Sequence, residues 1–289
     1  MIFTLYDSDD PSSLQSYAPI DKTSPTVLNR AMLYGEGCFE TIRVIDRQIP
    51  LWPDHLHRLL YSAETMGLSS KFRDAPLLPK LQQVFNNILF TSGKLRIHLL
   101  RSYTSGGYAP ESNRALLWAD LEAKAVPDFF FQTRGIRLCN YMEEVKPKHR
   151  WSNLKHKNAM VSVMAAAYAR TQQADDALVS NAEGKIIETS GANLFWINEG
   201  HLYTPPLSDG PVAGVFRQFL IRELDRQGII IEEKSCTPSL LMTAEEVFIT
   251  NAWHGIRWVQ NIDEHHYTHH FIRDITKPIF SLLKSGNRT

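Results

Sequence analysis

The alternation of apolar and polar residues is clearest in the first quarter of the chain. Residues 38–44, CFETIRV, are rich in strand-forming residues and follow a tight Gly-Glu-Gly turn at residues 35–37. A strand here places Phe39, Thr41 and Arg43 on one face, because side chains alternate between the two faces of a strand. The segment therefore predicts a β-strand with a mixed aromatic and polar face.

The apolar period then changes to that of a helix. In residues 53–68 the side chains of Leu56, Leu59 and Ala63 recur at intervals of three and four, and Arg58 falls in the second turn. The pattern predicts an amphipathic helix that follows the strand. A further helix is predicted at residues 77–91 and a further strand at residues 94–102.

Short strand-like segments and two helices dominate the rest of the chain. Residues 119–128, ADLEAKAVPD, carry few strand signals and one proline, so we expect a domain boundary there. The sequence thus predicts a small α/β domain over residues 1–120 and a large α+β domain over residues 121–289. In the large domain we expect strands at residues 135–141, 176–181, 185–188, 192–197, 200–205 and 245–251, and helices at residues 157–172 and 215–227.

The overall composition narrows the class of partner. The 289 residues are 43% hydrophobic, which is enough for a substantial core without metal or disulfide crosslinks. The 31 basic residues balance the 31 acidic ones, so no long-range field favours nucleic acid or an acidic membrane surface. A small-molecule partner is expected.

Cysteine usage and hydropathy bear on the cellular compartment. Cys38, Cys139 and Cys236 are few, odd in number and widely spaced, which argues against a secreted disulfide framework or a thiolate metal site. The polar, acidic start lacks the features of a secretory signal. No apolar stretch approaches the ~20 residues that span a bilayer. We expect a cytoplasmic protein.

The candidate chemistry begins with a lysine. Lys155 precedes a predicted helix whose apolar positions, residues 160, 161, 163, 164, 167 and 168, are expected to face the core. Lys157 falls on the side away from that stripe. A single lysine is usually a solvated surface charge, so Lys155 gains significance only from other candidate residues.

Two later segments supply such residues. In residues 185–196, KIIETSGANLFW, the strand alternation ends at Glu188, and a carboxylate that ends a buried strand needs a cation or a hydrogen-bond donor. In residues 209–224, DGPVAGVFRQFLIREL, a glycine turn leads directly into an amphipathic helix, whose first N–H groups suit a phosphate. Together an amine, a carboxylate and an anion cradle are what a pyridoxal 5'-phosphate site requires.

Several motifs support this interpretation by their order. With them the chain resembles the fold-type IV pyridoxal phosphate enzymes, the class IV aminotransferase family, over nearly its whole length. It looks closest to 4-amino-4-deoxychorismate lyases and branched-chain aminotransferases. The motifs are YGxGxFExxR at residues 34–43, HxxR at 55–58, KxxN at 155–158, E-x4-NLF at 188–195, YTPPL at 203–207 and GxxR at 214–217.

The resemblance implies a role for each matched position. Lys155 would form the Schiff base with pyridoxal 5'-phosphate, Glu188 would pair with the pyridine nitrogen, and Arg58 would hold the phosphate. Two segments would add to the phosphate site, namely Gly214, Val215 and Phe216 through backbone N–H groups, and the loop of Thr250, Asn251 and Ala252. Many aminotransferases of the family have threonine in place of Phe216 and a hydroxyl residue in place of Ala252, so two side-chain donors are missing here.

The resemblance also implies an architecture and a partner. We expect the α+β fold of the D-amino acid aminotransferase type, with the cofactor at the interface of two domains. We further expect a homodimer in which a loop of the partner completes the substrate pocket. Asn158 and Asn193 match family asparagines, and we interpret both as structural residues that fix turns near the cofactor.

The choice of reaction rests on residues near the predicted pocket. A D-amino acid aminotransferase would present an Arg-x-His pair after the strand that ends near Arg101, and the sequence there, RSYTSGGYAPES, has none. We favour the lyase that forms p-aminobenzoate and pyruvate, with a branched-chain or related amino acid aminotransferase as the alternative. The candidate substrate-binding residues are Phe39, Thr41, Arg43, Tyr103, Tyr108 and His254, each of which could instead be purely structural.

A cluster of histidines suggests a different class of protein. His265 with His269, and His266 with His270, have the i, i+4 spacing of helical metal ligands. No carboxylate or cysteine motif joins them, and we expect no metal site. A His-cluster metal-binding protein is a remote alternative, and a cofactor-binding protein without turnover is a third.

Overall fold

The computed structural model describes residues 1–7, 30–101 and 107–284. The chain forms two compact units, the first made of residues 1–128 and 154–158 and the second of residues 129–153 and the chain from residue 159 onwards. Strands and helices occur in both units, so the expected α+β class is confirmed. None of the helices in the described ranges has the length and apolar character needed to cross a membrane.

The first unit is built on a four-stranded antiparallel sheet with the strand order β1-β4-β3-β2. Helices α2 and α3 pack their apolar sides against one face of this sheet and form the core of the unit with it. Its elements are β1 (Ile2–Asp7), α1 (Arg30–Tyr34), β2 (Gly37–Val44), α2 (Trp52–Thr65), α3 (Leu77–Asn87), β3 (Gly93–Arg101) and β4 (Ala115–Ala123).

Strand β2 has two chemically different faces. Cys38, Ile42 and Val44 point into the core. Phe39 and Thr41 alternate with them and lie on the opposite face, half-buried, as the sequence pattern predicts. The strand therefore presents a mixed aromatic and polar surface on the side away from the helices.

Strand β4 extends the first unit beyond the predicted boundary. Position 120 falls inside this strand, which pairs with β3 as far as Ala123. Ala115, Leu117 and Leu121 are buried on its core side. Alanine is a weak strand former, and this hid the alternation in the sequence although a small side chain suits the centre of a packed sheet.

The second unit contains a nine-stranded sheet that closes on itself. β7 pairs with both β6 and β8, so the six strands β8, β11, β12, β5, β6 and β7 form a ring, and β9 with β10 extends it from β8. Alternate residues such as Leu194, Trp196, Val247 and Ile249 form one apolar cluster. The strands are β5 (Ile136–Asn140), β6 (Asp176–Ser180), β7 (Ile186–Thr189), β8 (Asn193–Asn198), β9 (His201–Thr204), β10 (Ile231–Glu233), β11 (Glu246–Asn251), β12 (Gly255–Ile262) and β13 (His265–His266).

Four helices complete the second unit, and one of them corrects the sequence analysis. In α4, Ala165 and Ala169 are buried against β5 and β6. Met160, Val163 and Met164 are 70%, 59% and 45% exposed, so the expectation that they face the core is wrong. Of the predicted stripe only Val161 and Tyr168 pack against the cluster that the small side chains of Ala165 and Ala169 form with β5 and β6. The helices are α4 (Met160–Thr171), α5 (Val215–Asp225), α6 (Pro238–Met242) and α7 (His270–Lys284).

Candidate active site

A short extended segment lies along the free edge of β2. The N–H of Phe39 donates to the carbonyl of Lys155 at 2.9 Å, and the N–H of Lys157 donates to the carbonyl of Gly37 at 2.8 Å. The residues between these partners form an antiparallel bridge. Strand pairing, rather than a helix, therefore positions Lys155. Because side chains alternate along an extended chain, Lys155 and Lys157 share one face.

Both lysines lie over the same aromatic ring. The Nζ atom of Lys155 is 4.6 Å from the ring centroid of Phe39, and that of Lys157 is 5.6 Å from it. These distances are in the range of cation–π contacts, in which the ring face attracts a positive charge. Phe39, one of the predicted substrate-binding residues, is thus brought together with the predicted catalytic lysine.

Lys157 has a second partner that the sequence analysis did not identify. Its Nζ donates to Nδ1 of His98 at 2.7 Å. Burial first, and then the charge of Lys157, lowers the pKa of His98 to about 4, so the ring is neutral near pH 7 and accepts this bond. Burial also lowers the pKa of Lys157. His98 pairs directly with Phe39, so only the strand register, which the local sequence does not show, connects it to this site.

Arg58 is held by a buried carboxylate on the core side of β2. Its Nε and Nη2 donate to Glu40 Oε1 and Oε2 at 2.7 and 2.6 Å, and Nδ1 of His55 lies 2.6 Å from Oε2. Burial raises the pKa of Glu40, but the charge of Arg58 and the hydrogen bonds from His55 and Arg58 outweigh it and lower the pKa to about 2. Glu40 therefore fixes the orientation of both motif residues, a role that the sequence did not reveal.

Glu188 ends β7 with both of its oxygens occupied. Oε1 accepts a hydrogen bond from Nζ of Lys146 at 2.5 Å, and Oε2 accepts one from the N–H of Val212 at 2.8 Å. Both side chains are buried, so the pair meets the need of a buried carboxylate for a cation. Nothing in the sequence around Lys146 distinguishes it from a surface lysine.

Three polar residues lie side by side across β7, β8 and β11. Glu188 pairs with Asn193, and Asn193 pairs with Thr250. Directly opposed residues point to the same face, and two strand spacings place the outer Cα atoms ~10 Å apart. Oγ1 of Thr250 is buried and has no hydrogen-bond partner within the described residues. A buried hydroxyl of this kind is usually satisfied by a bound group.

The turn before α5 is tied to the same row. A Cβ atom on Gly214 would lie 1.8 Å from Oδ1 of Asn193, whose Nδ2 donates to the carbonyl of Val212 at 2.8 Å. Asn193 thus holds the turn, which agrees with its structural interpretation. No described side chain caps α5, which begins at Val215. The first N–H groups of a helix have no partner within the helix, and with the helix dipole they suit an anion.

Phe216 can contribute only its backbone to such an anion site. Its side chain is buried and packs against the rings of Phe129, Phe219 and Phe280. A core residue therefore occupies the position at which the resemblance implies a threonine in many aminotransferases.

The loop after β11 is shaped by an asparagine. Oδ1 of Asn251 accepts the N–H groups of Trp253 and His254 at 3.1 and 2.8 Å, and its Nδ2 donates to the carbonyl of Gly191 at 3.0 Å. Asn251 therefore holds the turn with its side chain. Ala252 has no side-chain donor, and His254 is exposed.

Arg43 lies apart from the two lysines. Arg43 is four residues from Phe39 along β2, so their Cα atoms are ~13 Å apart in an extended strand, and its partner in β3 is Lys94. The side chain is buried, and its Nη2 donates to the carbonyl of Pro127. Thr41 lies between Phe39 and Arg43 on the same face.

The tyrosine candidates are less informative. Tyr108 is 88% exposed and its ring lies 5.3 Å from that of Tyr34. Tyr103 lies outside the described residues.

The histidines near α7 do not form helical ligand pairs. His265 and His266 lie in β13, and only His270 is inside α7, so the expected spacing on one helix face is wrong. His269 instead stacks on Trp258, with 4.0 Å between ring centroids. In the part of the chain that the structure covers, no group of three or more His, Cys, Asp or Glu side chains could hold a metal ion.

Comparison with known protein families decides between the two classes that the sequence suggests, a pyridoxal phosphate enzyme and a His-cluster metal-binding protein. The model of the amino-transferase class IV family matches residues 37–262. The chain belongs to this family. Class IV aminotransferase-family enzymes depend on pyridoxal 5'-phosphate, so the expected enzyme class and cofactor are confirmed together with the expected family.

Individual relatives of this class IV protein carry more than one activity in their names. An aminodeoxychorismate lyase from Vibrio harveyi is 27% identical over 81% of this chain and 86% of its own length. A D-alanine aminotransferase from Bacillus licheniformis is 25% identical, over 81% and 82%. The structure of a branched-chain aminotransferase from Thermoproteus uzoniensis with norvaline is 26% identical, covers 93% of this chain and 91% of its own, and superimposes with a TM-score of 0.78.

Proposed function

We propose that the protein is a lyase that converts 4-amino-4-deoxychorismate to p-aminobenzoate and pyruvate. One observation carries the choice of substrate: the sheet face beside Lys155 is polar and cationic, with Lys157 and His98 next to the ring of Phe39. A branched-chain amino acid needs an apolar pocket for its side chain. A ring that carries carboxylates suits a face with an aromatic surface and a cation. The lyase from Vibrio harveyi supports the same reaction.

The residues of the second unit fit the phosphate and the ring nitrogen of the cofactor. A phosphate oxygen would give the buried hydroxyl of Thr250 the partner that the described residues do not provide. The backbone N–H groups of Val215 and Phe216 would complete the cradle after the turn at Gly214. Glu188 lies in the same cross-strand row as Thr250 and points to the same face, so one bound molecule would contact both.

When bound, the cofactor withdraws electrons from the substrate carbon that loses its proton. In our proposal Nζ of Lys155 would hold the cofactor between turnovers and would accept the proton that the substrate ring loses. The C–O bond to the enolpyruvyl group then breaks, the ring becomes aromatic, and a proton delivered to the departing enolpyruvate gives pyruvate. Glu188 would stabilise positive charge at the ring nitrogen, and Arg58, oriented by Glu40, would hold the phosphate.

An amino acid aminotransferase is the second candidate. The similarity to the branched-chain aminotransferase from Thermoproteus uzoniensis over more than nine-tenths of both chains favours it. Proton removal by Lys155 would be common to both reactions. The two differ afterwards, because an aminotransferase releases a keto acid and leaves the cofactor in its amine form.

A paired assay tests the proposal. The purified holoenzyme would be given 4-amino-4-deoxychorismate in one reaction and Leu, Ile or Val with 2-oxoglutarate in another. We expect p-aminobenzoate and pyruvate in equal amounts from the first, and little or no conversion of the cofactor to its amine form in the second. Rapid conversion by these amino acids with no p-aminobenzoate formed would replace the lyase by the aminotransferase.

The exposed face of α4 supports a further proposal, that the protein is a homodimer. Met160, Val163, Met164 and Ala167 recur at intervals of three and four and are all exposed, while the opposite side of the helix packs on the sheet. Contiguous apolar surface of this kind marks interfaces between proteins. We assign it to a second copy of this chain, because most soluble oligomers are symmetric homodimers.

The expected compartment is also a proposal. Cys38, Cys139 and Cys236 are all buried and unpaired in the structure, which is typical of proteins in a reducing environment. We infer a cytoplasmic enzyme that supplies p-aminobenzoate for folate biosynthesis.

A further inference from the structure

Among the described residues, no carboxylate forms an ion pair with Lys157, the cation next to the proposed catalytic lysine. Within the described residues, Lys157 makes one side-chain hydrogen bond, to a His98 ring that is neutral near pH 7. Asp120, the carboxylate whose charge acts on His98, is paired with Arg96 at 2.9 Å. A half-buried ammonium group that no carboxylate of the described residues pairs with favours an anion brought by a ligand.

The spacing of the two lysines indicates where that anion would lie in a substrate. Lys155 and Lys157 are alternate residues of an extended segment, so their Cα atoms are ~7 Å apart, and both Nζ atoms lie over Phe39. An α-carboxylate is only two bonds from the amino nitrogen and therefore stays close to Lys155. A carboxylate across a six-membered ring from the amino group lies farther from it, on the side where a second lysine of the same face can reach it.

We propose that Lys157 binds the carboxylate that lies across the substrate ring from the amino group, with Phe39 beneath the ring and His98 holding the ammonium group in place. The proposal deepens the lyase function proposed above and rests on it for the identity of the ring. It makes Lys157 a specificity-determining residue that favours para-substituted amino acids of the benzoate type over aliphatic amino acids.

Binding of the aromatic product and its analogues to the wild-type holoenzyme gives a first test that requires no variant. The probes are p-aminobenzoate, m-aminobenzoate and aniline, with affinities measured by calorimetry. We expect p-aminobenzoate to bind about tenfold or more tightly than either of the others, because only its carboxylate can reach Lys157. Equal binding of the three probes would overturn the proposal.

Substitutions at Lys157 then test the residue itself. Lys157→Met keeps the length of the side chain without its charge and is expected to abolish the preference for p-aminobenzoate over aniline. Lys157→Arg should restore most of it. The matched control is Lys94→Met. Lys94 lies on the same face of the sheet, four residues before His98 in β3, and its substitution should leave the preference unchanged. A folded Lys157→Met holoenzyme with an unchanged preference would refute the assignment.

Turnover measured in parallel separates this proposal from the lyase function. If the wild-type enzyme forms p-aminobenzoate and Lys157→Met raises KM with little change in preference among the probes, the lyase stands and the role of Lys157 fails. If the wild type forms no p-aminobenzoate but shows the Lys157-dependent preference, the carboxylate site stands and the lyase fails.

Discussion

Two buried ion pairs lie at the candidate site, and they determine how single substitutions there should be interpreted. Glu40 is tied to Arg58, and Glu188 to Lys146. Removing one partner of a buried ion pair leaves the other charge without compensation and commonly costs about 3–5 kcal/mol of stability. Variants at these residues therefore need a stability measurement beside the functional one.

Lys155→Ala should abolish covalent attachment of the cofactor and all turnover. No other described residue has both the β2 pairing and the position over Phe39 except Lys157, which is engaged with His98. The measurement is the visible absorbance of the cofactor that remains bound after dialysis, and a separate borohydride reduction should fix the cofactor covalently to the wild type but not to the variant. Retention of the absorbance band in Lys155→Ala, together with its loss in Lys157→Ala, would show that the wrong lysine was chosen.

Glu188→Gln should leave the cofactor covalently attached and lower the rate strongly. A neutral amide cannot stabilise a positive ring nitrogen, so the electron-withdrawing power of the cofactor falls. The substitution also leaves Lys146 buried without its carboxylate. Glu188→Gln combined with Lys146→Met removes this second effect. Near-normal kcat in the double variant would leave Glu188 a purely structural role.

Arg58→Ala should weaken cofactor binding more than it slows the saturated enzyme. The phosphate is remote from the bonds that change, so the contact is similar in the ground and transition states. The variant should also be less stable, because Glu40 loses its main counter-charge. Arg58→Met with Glu40→Gln controls for stability. Tight retention of cofactor by that double variant through dialysis would place the phosphate elsewhere.

His98 should make the unfolding free energy depend on pH. Its pKa is about 4 in the folded protein against 6.5 for the ordinary side chain. Between these values the unfolded chain binds a proton that the folded protein does not, so the unfolding free energy falls as the pH drops from 6.5 to 4, by about 3 kcal/mol in total. Glu40, with a pKa of about 2, changes the unfolding free energy with pH only below pH 4.5. His98→Gln should therefore reduce the pH dependence of the denaturation midpoint between pH 6.5 and 4.5. An unchanged pH dependence would show that His98 does not have the lowered pKa.

At the scale of elements, α4 is predicted to form the contact between two copies. Met164→Glu introduces a charge into the exposed apolar face and should convert the dimer to a monomer, as measured by analytical ultracentrifugation. Met242→Glu, in α6 and also exposed, is the matched control and should not change the mass. A monomeric wild-type protein, or a dimer that survives Met164→Glu, would rule out this face.

The elements that sequence predicts well are those whose pattern is local. The strand over residues 38–44 and the helix over residues 215–227 appear as β2 and α5 within two residues at each end. The core-facing side of α4 was predicted only in part: Val161 and Tyr168 pack on the core, whereas the other predicted positions are exposed, because the pattern does not reveal which of two apolar sides a sheet will cover. β4 was not recognised, since its alanines have meaning only between two neighbouring strands.

The candidate site shows the same limit at the scale of the whole molecule. Lys155, Glu188 and the start of α5 could be identified because they follow motifs along the chain. Lys146 and His98 could not, because each is defined by a partner 42 or 59 residues away. Strand register and the charge state of a buried ring are properties of the folded chain and leave no mark on the local sequence.

The pairing of residues 155–157 with β2 has a consequence for synthesis on the ribosome. Residues 154–158 cover the edge of β2 and place Leu154 in the core of the first unit. The ribosome must add about 30 residues after residue 128 before this segment is complete. At typical rates of elongation the nascent chain would wait about 2–6 s with this strand edge uncovered. Open strand edges are templates for aggregation. A gene fragment that stops at residue 128 would make that transient state permanent, and we expect its product to bind chaperones or precipitate.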